Sequence, residues 1–112
     1  MKLATLFDEG WTLDDGEARH NDAPDAFEIP NREERENLKP GQLVKLMFRI
    51  ALEGEDGKTA EEVERMWVLV SGRVGQTYRG VLDNDPRCTK GIRAGLEVVF
   101  EPRHVIQIES ED

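Results

Sequence analysis

The residues able to do chemistry are few and scattered. Cys88 is the only cysteine, and His20 and His104 are the only histidines. Basic Arg87 and Lys90 beside Cys88 would lower a thiol pKa, the usual route to a reactive thiolate. No histidine adjoins it in sequence to form a Cys–His pair. A zinc site needs several His or Cys ligands at close spacing, which this chain lacks. His20 with Asp22 and Asp25 is at most a weak metal motif, and a solvated loop explains it as well. Asp83-Asn84-Asp85 has the start of a calcium loop. Pro86 follows at once, however, and no later ligand completes the pattern. Asx side chains ahead of a proline more simply set up a turn. No nucleophile elbow, phosphate-binding glycine loop or dinucleotide fingerprint occurs. Carboxylates are plentiful, but they sit in polar runs without the apolar surroundings that separate the pKa values of a catalytic pair. The chain is therefore read as non-enzymatic, with no metal and no cofactor.

Positioning elements follow from periodicity. Val44, Leu46, Phe48 and Ile50 alternate with Lys45 and Arg49, which predicts a strand over 43–52. A second strand is expected over 63–70, with Trp67 in the core between Met66 and Val68. Thr59-Ala60-Glu61-Glu62 before it resembles a capping box and suggests a turn of helix. Ser71–Gln76 reads as a hairpin connection leading into a third strand, Thr77–Leu82. Segments 96–100 and 104–108 are expected to pair with each other, although Val105 is out of phase with Ile106 and Ile108. Asn31 with Glu34 three residues on marks a helix start, and Lys39-Pro40-Gly41 its stop, giving a helix near residues 32–38.

Charge divides the chain. It has 24 acidic and 15 basic residues, net −9. Residues 1–30 hold eight acids against Lys2 and Arg19, so most of the excess lies on an N-terminal arm. This balance disfavours nucleic acid, which needs a basic face, and anionic membrane surfaces. It favours attraction of a basic protein. In the arm, Trp11 and Leu13 hint at a short strand, Asp14-Asp15-Gly16 at a turn, and Phe27 and Ile29 at anchors to the core. Glu109–Asp112 is an acidic tail. One cysteine permits no intrachain disulfide, no apolar run resembles a signal peptide or a membrane span, and the expected compartment is the cytoplasm.

Several pieces together resemble a known family. These are Gly10-Trp11-Thr12-Leu13, Phe27-Glu28-Ile29-Pro30, Glu64-Arg65-Met66-Trp67-Val68, Tyr78-Arg79-Gly80-Val81-Leu82-Asp83-Asn84-Asp85-Pro86 and His104-Val105-Ile106. Over roughly residues 10–109 the chain resembles the bacterial family catalogued as domain of unknown function 2314. The resemblance implies a bacterial source and a fold, and no activity.

The expectation is one α+β domain over 1–112: a small twisted antiparallel sheet of four or five strands, open to curling toward a barrel, with one short helix. For function it is an immunity-type protein that masks a basic toxin. Its expected contacts are Trp11, Asp14, Asp15, Glu17, Asp22, Asp25, Asp83 and Asp85. The alternative is a housekeeping or regulatory domain that binds a small ligand or peptide at the sheet.

Overall fold

The computed structural model describes residues 1–109. Two short helices flank a short strand in the arm: α1 (Leu6–Glu9), β1 (Trp11–Leu13) and α2 (Gly16–Asp22). Then come α3 (Arg32–Glu36), β2 (Leu43–Glu53), β3 (Thr59–Val74), β4 (Thr77–Leu82), β5 (Glu97–Phe100), a 3₁₀ turn (Pro102–His104) and β6 (Val105–Ile108). The fold is α+β, with a six-stranded antiparallel sheet curled into a half-barrel. No helix among the described residues is long and apolar enough to cross a membrane. The acidic tail lies outside the described residues except for Glu109.

The sheet runs β1-β2-β3-β4-β5, and β6 also pairs with β2. β1 takes Phe48–Ile50 of β2, while β6 takes Val44–Leu46 of the same strand. Thus β5 and β6 do not pair with each other, contrary to the sequence expectation: β5 pairs with β4. In a flat sheet β5 and β6 would be about 19 Å apart, four strand spacings. The link between them is mostly a 3₁₀ turn rising about 2 Å per residue, which is too short for that gap. The sheet must curl to be joined this way.

Its concave face holds the core. Val44, Leu46, Phe48 and Ile50 of β2 meet Met66, Val68 and Val70 of β3, Tyr78 and Leu82 of β4, Val98 and Phe100 of β5, and Val105 of β6. Trp11 packs on Phe48 with ring centroids 5.3 Å apart, and Tyr78 stacks on Phe100 at 5.2 Å. β4 approaches β3 so closely that a Cβ at Gly80 would lie 2.6 Å from Leu69 O, so only glycine fits there. The phase problem in 105–108 is solved by a bulge. The register slips at Ile106, which turns Val105 and Ile108 to the same face. Ile106 is buried on the other face, where the backbone of Gly16 at the start of α2 leaves no room for a Cβ.

Several expectations are corrected. Trp67 is not a core residue. It stands opposite Lys45, so it belongs to the convex face, half-buried, with the Lys45 ammonium 4.6 Å from its ring. Thr59–Glu62 is strand, not helix, because it pairs with Ile50–Glu53. The β3–β4 connection shortens to Gly75-Gln76, with Gly75 at φ 61°. Asp14-Asp15-Gly16 is the start of α2, and Asp15 caps it by accepting from Ala18 N–H at 2.9 Å. Phe27 and Ile29 are only half-buried; Phe27 lies between the Arg19 and Arg65 guanidiniums, at 5.4 and 5.6 Å. Asn31 does cap α3, accepting from Glu34 N–H at 2.8 Å. The helix stops at Glu36, two residues early, because Leu38 turns into the core and gives its N–H to the Tyr78 hydroxyl instead.

His104 sits in the 3₁₀ turn, 2% exposed. Its Nδ1 accepts from Glu101 N–H at 2.9 Å, which leaves the ring proton on Nε2. Burial, with Arg103 adding to it, pushes its pKa down to about 4; Glu101 and Asp15 oppose this only in part. The unfolded chain takes up a proton near the usual 6.5, and the fold resists it. The stabilisation is therefore complete above 6.5 and drains away as pH falls toward 4. Urea unfolding should show about 2 kcal/mol lost between about pH 7.5 and about pH 5 from this group. A flat profile across that window would mean that the folded ring accepts the proton.

Candidate functional site

The expected contact residues do not form one surface. Trp11 is 5% exposed and belongs to the core, so it is withdrawn as a contact. Asp14, Asp15 and Glu17 are already engaged inside the molecule. Asp14 takes a two-pronged bond from Arg49, Nε and Nη2 each at 2.8 Å. Asp15 caps α2 and also meets Arg103 at 3.2 Å. Glu17 accepts from buried Arg35 at 2.9 Å. These carboxylates hold the arm to the sheet rather than offering free charge. Asp22, Asp25 and Asp83 are exposed and make no ion pair among the described residues; Asp85, also exposed, accepts from Ala94 N–H at 2.8 Å.

Arg35 explains why the arm is held. Its side chain is 6% exposed. It donates to Pro30 O at 2.8 Å, to Glu17 Oε2 at 2.9 Å and to Pro102 O at 3.1 Å. Its own carbonyl accepts from the Tyr78 hydroxyl at 3.0 Å, and that hydroxyl accepts in turn from Leu38 N–H and Arg73. One donor and two acceptor positions on the phenol are thus all used. A small charged cleft of about 180 Å³ borders this network, lined by Glu17, Arg32, Arg35, Glu101 and Arg103 among others. Acids and bases there are mutually paired.

The Asp83–Pro86 turn is structural, by longer reach than the sequence suggests. Asn84 Oδ1 does not bond its own turn. It accepts from Trp67 N–H at 2.9 Å, while Trp67 O accepts from Asp83 N–H at 2.9 Å. The Asn84 side chain so imitates one more carbonyl of β4 and closes the β3–β4 ladder.

Beyond Trp67 the β2–β3 hairpin continues without β4, and beyond Ala51 without β1 as well. Residues 53–63 are all exposed. Over 51–64 it carries Glu53, Glu55, Asp56, Glu61, Glu62 and Glu64 against Lys58. Glu61 pairs with Arg49 at 3.2 Å. Glu64 accepts from the backbone N–H groups of Arg87 and Cys88, each at 2.9 Å. Burial alone would raise the Glu64 pKa, but the Cys88 side chain and those N–H donors outweigh it and hold the carboxyl below its ordinary range. Glu53, Glu55, Asp56 and Glu62 make no ion pair among the described residues. A hollow of about 760 Å³ lies between the hairpin and the Cys88 loop, lined by Leu52, Ala60, Cys88 and Thr89 among others.

Cys88 itself is not activated. Burial, with the Glu64 carboxylate adding to it, pushes its thiol up to about 11. The sequence pointed to Arg87 and Lys90, and missed Glu64 because its strand is remote in the chain. Among the described residues no cluster of three or more His, Cys, Asp or Glu side chains could hold a metal ion. On the convex face Leu43, Leu69 and Val81 form a cross-strand row beside Trp67, with Leu69 39% and Val81 38% exposed. No family model, curated protein or solved structure matches this chain.

Asn84→Ala should cost about 1 kcal/mol, the scale of one side-chain hydrogen bond, and should speed amide exchange at Trp67. Unfolding and exchange measured together check this. Unchanged protection at Trp67 would show that the ladder does not depend on Asn84.

Proposed function

We propose that this protein is a non-enzymatic interaction domain that binds and masks a basic protein partner, in the way an immunity protein masks a toxin. The observation that carries the reading is the projecting hairpin. Glu53, Glu55, Asp56 and Glu62 stand exposed on it with no ion-pair partner among the described residues. Charge presented on an exposed arm speeds encounter with an oppositely charged partner, and contributes more to association rate than to final affinity. The two groups best suited to catalysis support a binding role. His104 is a buried neutral imidazole, and the Cys88 thiol is held far from its reactive form. A reducing cytoplasm is the compartment in which a lone thiol of this kind fits best.

A second reading has its own observation. Leu43, Trp67, Leu69 and Val81 make a partly exposed apolar row on the convex face, beside Lys45. Such a row suits a small ligand or peptide held at the sheet.

Chemical cross-linking in lysate of the source organism separates the two. The masking reading expects a stoichiometric basic protein, lost when Glu53, Glu55, Asp56 and Glu62 are all changed to Gln and weakened by salt. Capture that ignores those four changes but fails with Trp67→Ala favours the convex face. No basic protein captured, with the chain folded, contradicts masking.

A further inference from the structure

The β3 strand is longer than its neighbours need. β2 pairs with it over Thr59–Leu69, but β4 begins only at Val68. Trp67 shows which backbone groups face β4, since its C=O takes Asp83 N–H and its N–H goes to Asn84. Backbone direction alternates along a strand. The N–H and C=O of Arg65, Val63 and Glu61 therefore point the same way as those of Trp67, out of the sheet where β4 has ended. Among the described residues nothing hydrogen-bonds to them. The nearby Cys88 loop donates to the Glu64 side chain instead of to this backbone. Six ladder groups in a row are thus unpaired on a rigid strand whose other edge is fully zipped to β2.

We propose that this open edge, Glu61–Arg65 of β3, takes an extended basic segment of a partner protein as an added strand. The inference rests on the interaction reading above and specifies where and how the partner sits. Main-chain bonds to an exposed edge give affinity, and pockets beside it read alternate side chains. The hollow lined by Leu52, Ala60 and Thr89 adjoins one end of this edge, next to Glu61. Charge selects the occupant. Glu53, Glu55, Asp56 and Glu62 favour Lys or Arg on the incoming strand. Antiparallel pairing of two such edges about Val63 would set Glu62 against Glu64, which disfavours a second copy of this chain, although Glu61 would then face Arg65.

The test uses amide exchange by NMR on the whole chain, with a capped peptide of alternating Lys and Val as probe. A version with every Lys replaced by Glu is the control. In the free protein, Val63 and Arg65 amides should exchange fast, and those of Glu62 and Glu64, which face β2, slowly. The basic peptide should slow Glu61, Val63 and Arg65 by about tenfold or more and leave Glu62 and Glu64 unchanged. Val63→Pro removes one donor on the open edge and none on the β2 side, where edge strands tolerate proline. It should abolish the peptide's effect while the chain stays folded. If that variant does not fold, the alternating protection in the wild-type chain decides the matter. Equal binding of the Glu peptide overturns the charge argument. Protection that appears at Trp67 and Lys45, or no binding of the basic peptide, overturns the edge. A basic partner still captured by folded Val63→Pro would overturn the edge and leave the masking function standing.

Discussion

A buried guanidinium organises this molecule. Removing a charge from water costs several kcal/mol unless its hydrogen-bonding groups are met. Arg35 meets that demand with oxygen atoms from three places: Pro30 just ahead of its helix, Glu17 in the arm, and Pro102 in the link from β5 to β6. Those segments must therefore come together at one end of the half-barrel. The Arg35 carbonyl extends the requirement inward through the Tyr78 hydroxyl to Leu38 N–H. Such a pair adds little net stability over an apolar substitute, but an arrangement that leaves it half-made is strongly disfavoured. Its effect is to fix where the arm goes.

That constraint changes the meaning of the acidic arm. Asp14, Asp15 and Glu17 read as a landing strip for a partner when the sequence is considered alone. In the fold they answer Arg49, Arg103 and Arg35. The free negative charge lies on the hairpin, where Glu53, Glu55, Asp56 and Glu62 make no ion pair among the described residues. The same charges guard a long open strand edge, a feature that otherwise invites aggregation. Charged side chains beside an open edge are one way a strand discourages pairing with its own kind.

How much of this was legible depended on how local the signal was. β2 showed itself because its apolar residues alternate with Lys45 and Arg49, and β4 because the glycine-containing connection before it marks a hairpin. The Asn31 cap was equally local. In Met66-Trp67-Val68-Leu69-Val70 there is no polar residue to mark phase, so the sequence alone favours Trp67 inside; only its partner Lys45 across the ladder sets it outside. The arm helices are four and seven residues long, too short for a periodic signal, and they depend on the Thr5 and Asp15 caps. Val105 broke the alternation of the last strand because a bulge, invisible in sequence, sits beside it. The total charge could be counted in advance. Its division between latch and surface could not, because the Arg35, Arg49 and Arg103 latches join residues at least 18 positions apart.

The central claim is that the carboxylates have two separate jobs, and unfolding free energies compare them directly. One variant carries Asp14→Asn, Asp15→Asn and Glu17→Gln, and the other carries Gln at Glu53, Glu55, Asp56 and Glu62. The arm changes should remove about 3 kcal/mol or more, since they take the countercharges from buried Arg35 and from Arg49 and Arg103, while Asn at position 15 still caps α2. The hairpin changes should leave stability within about 0.5 kcal/mol, or raise it by easing repulsion. An arm variant as stable as the parent, beside a hairpin variant that unfolds easily, would contradict this division.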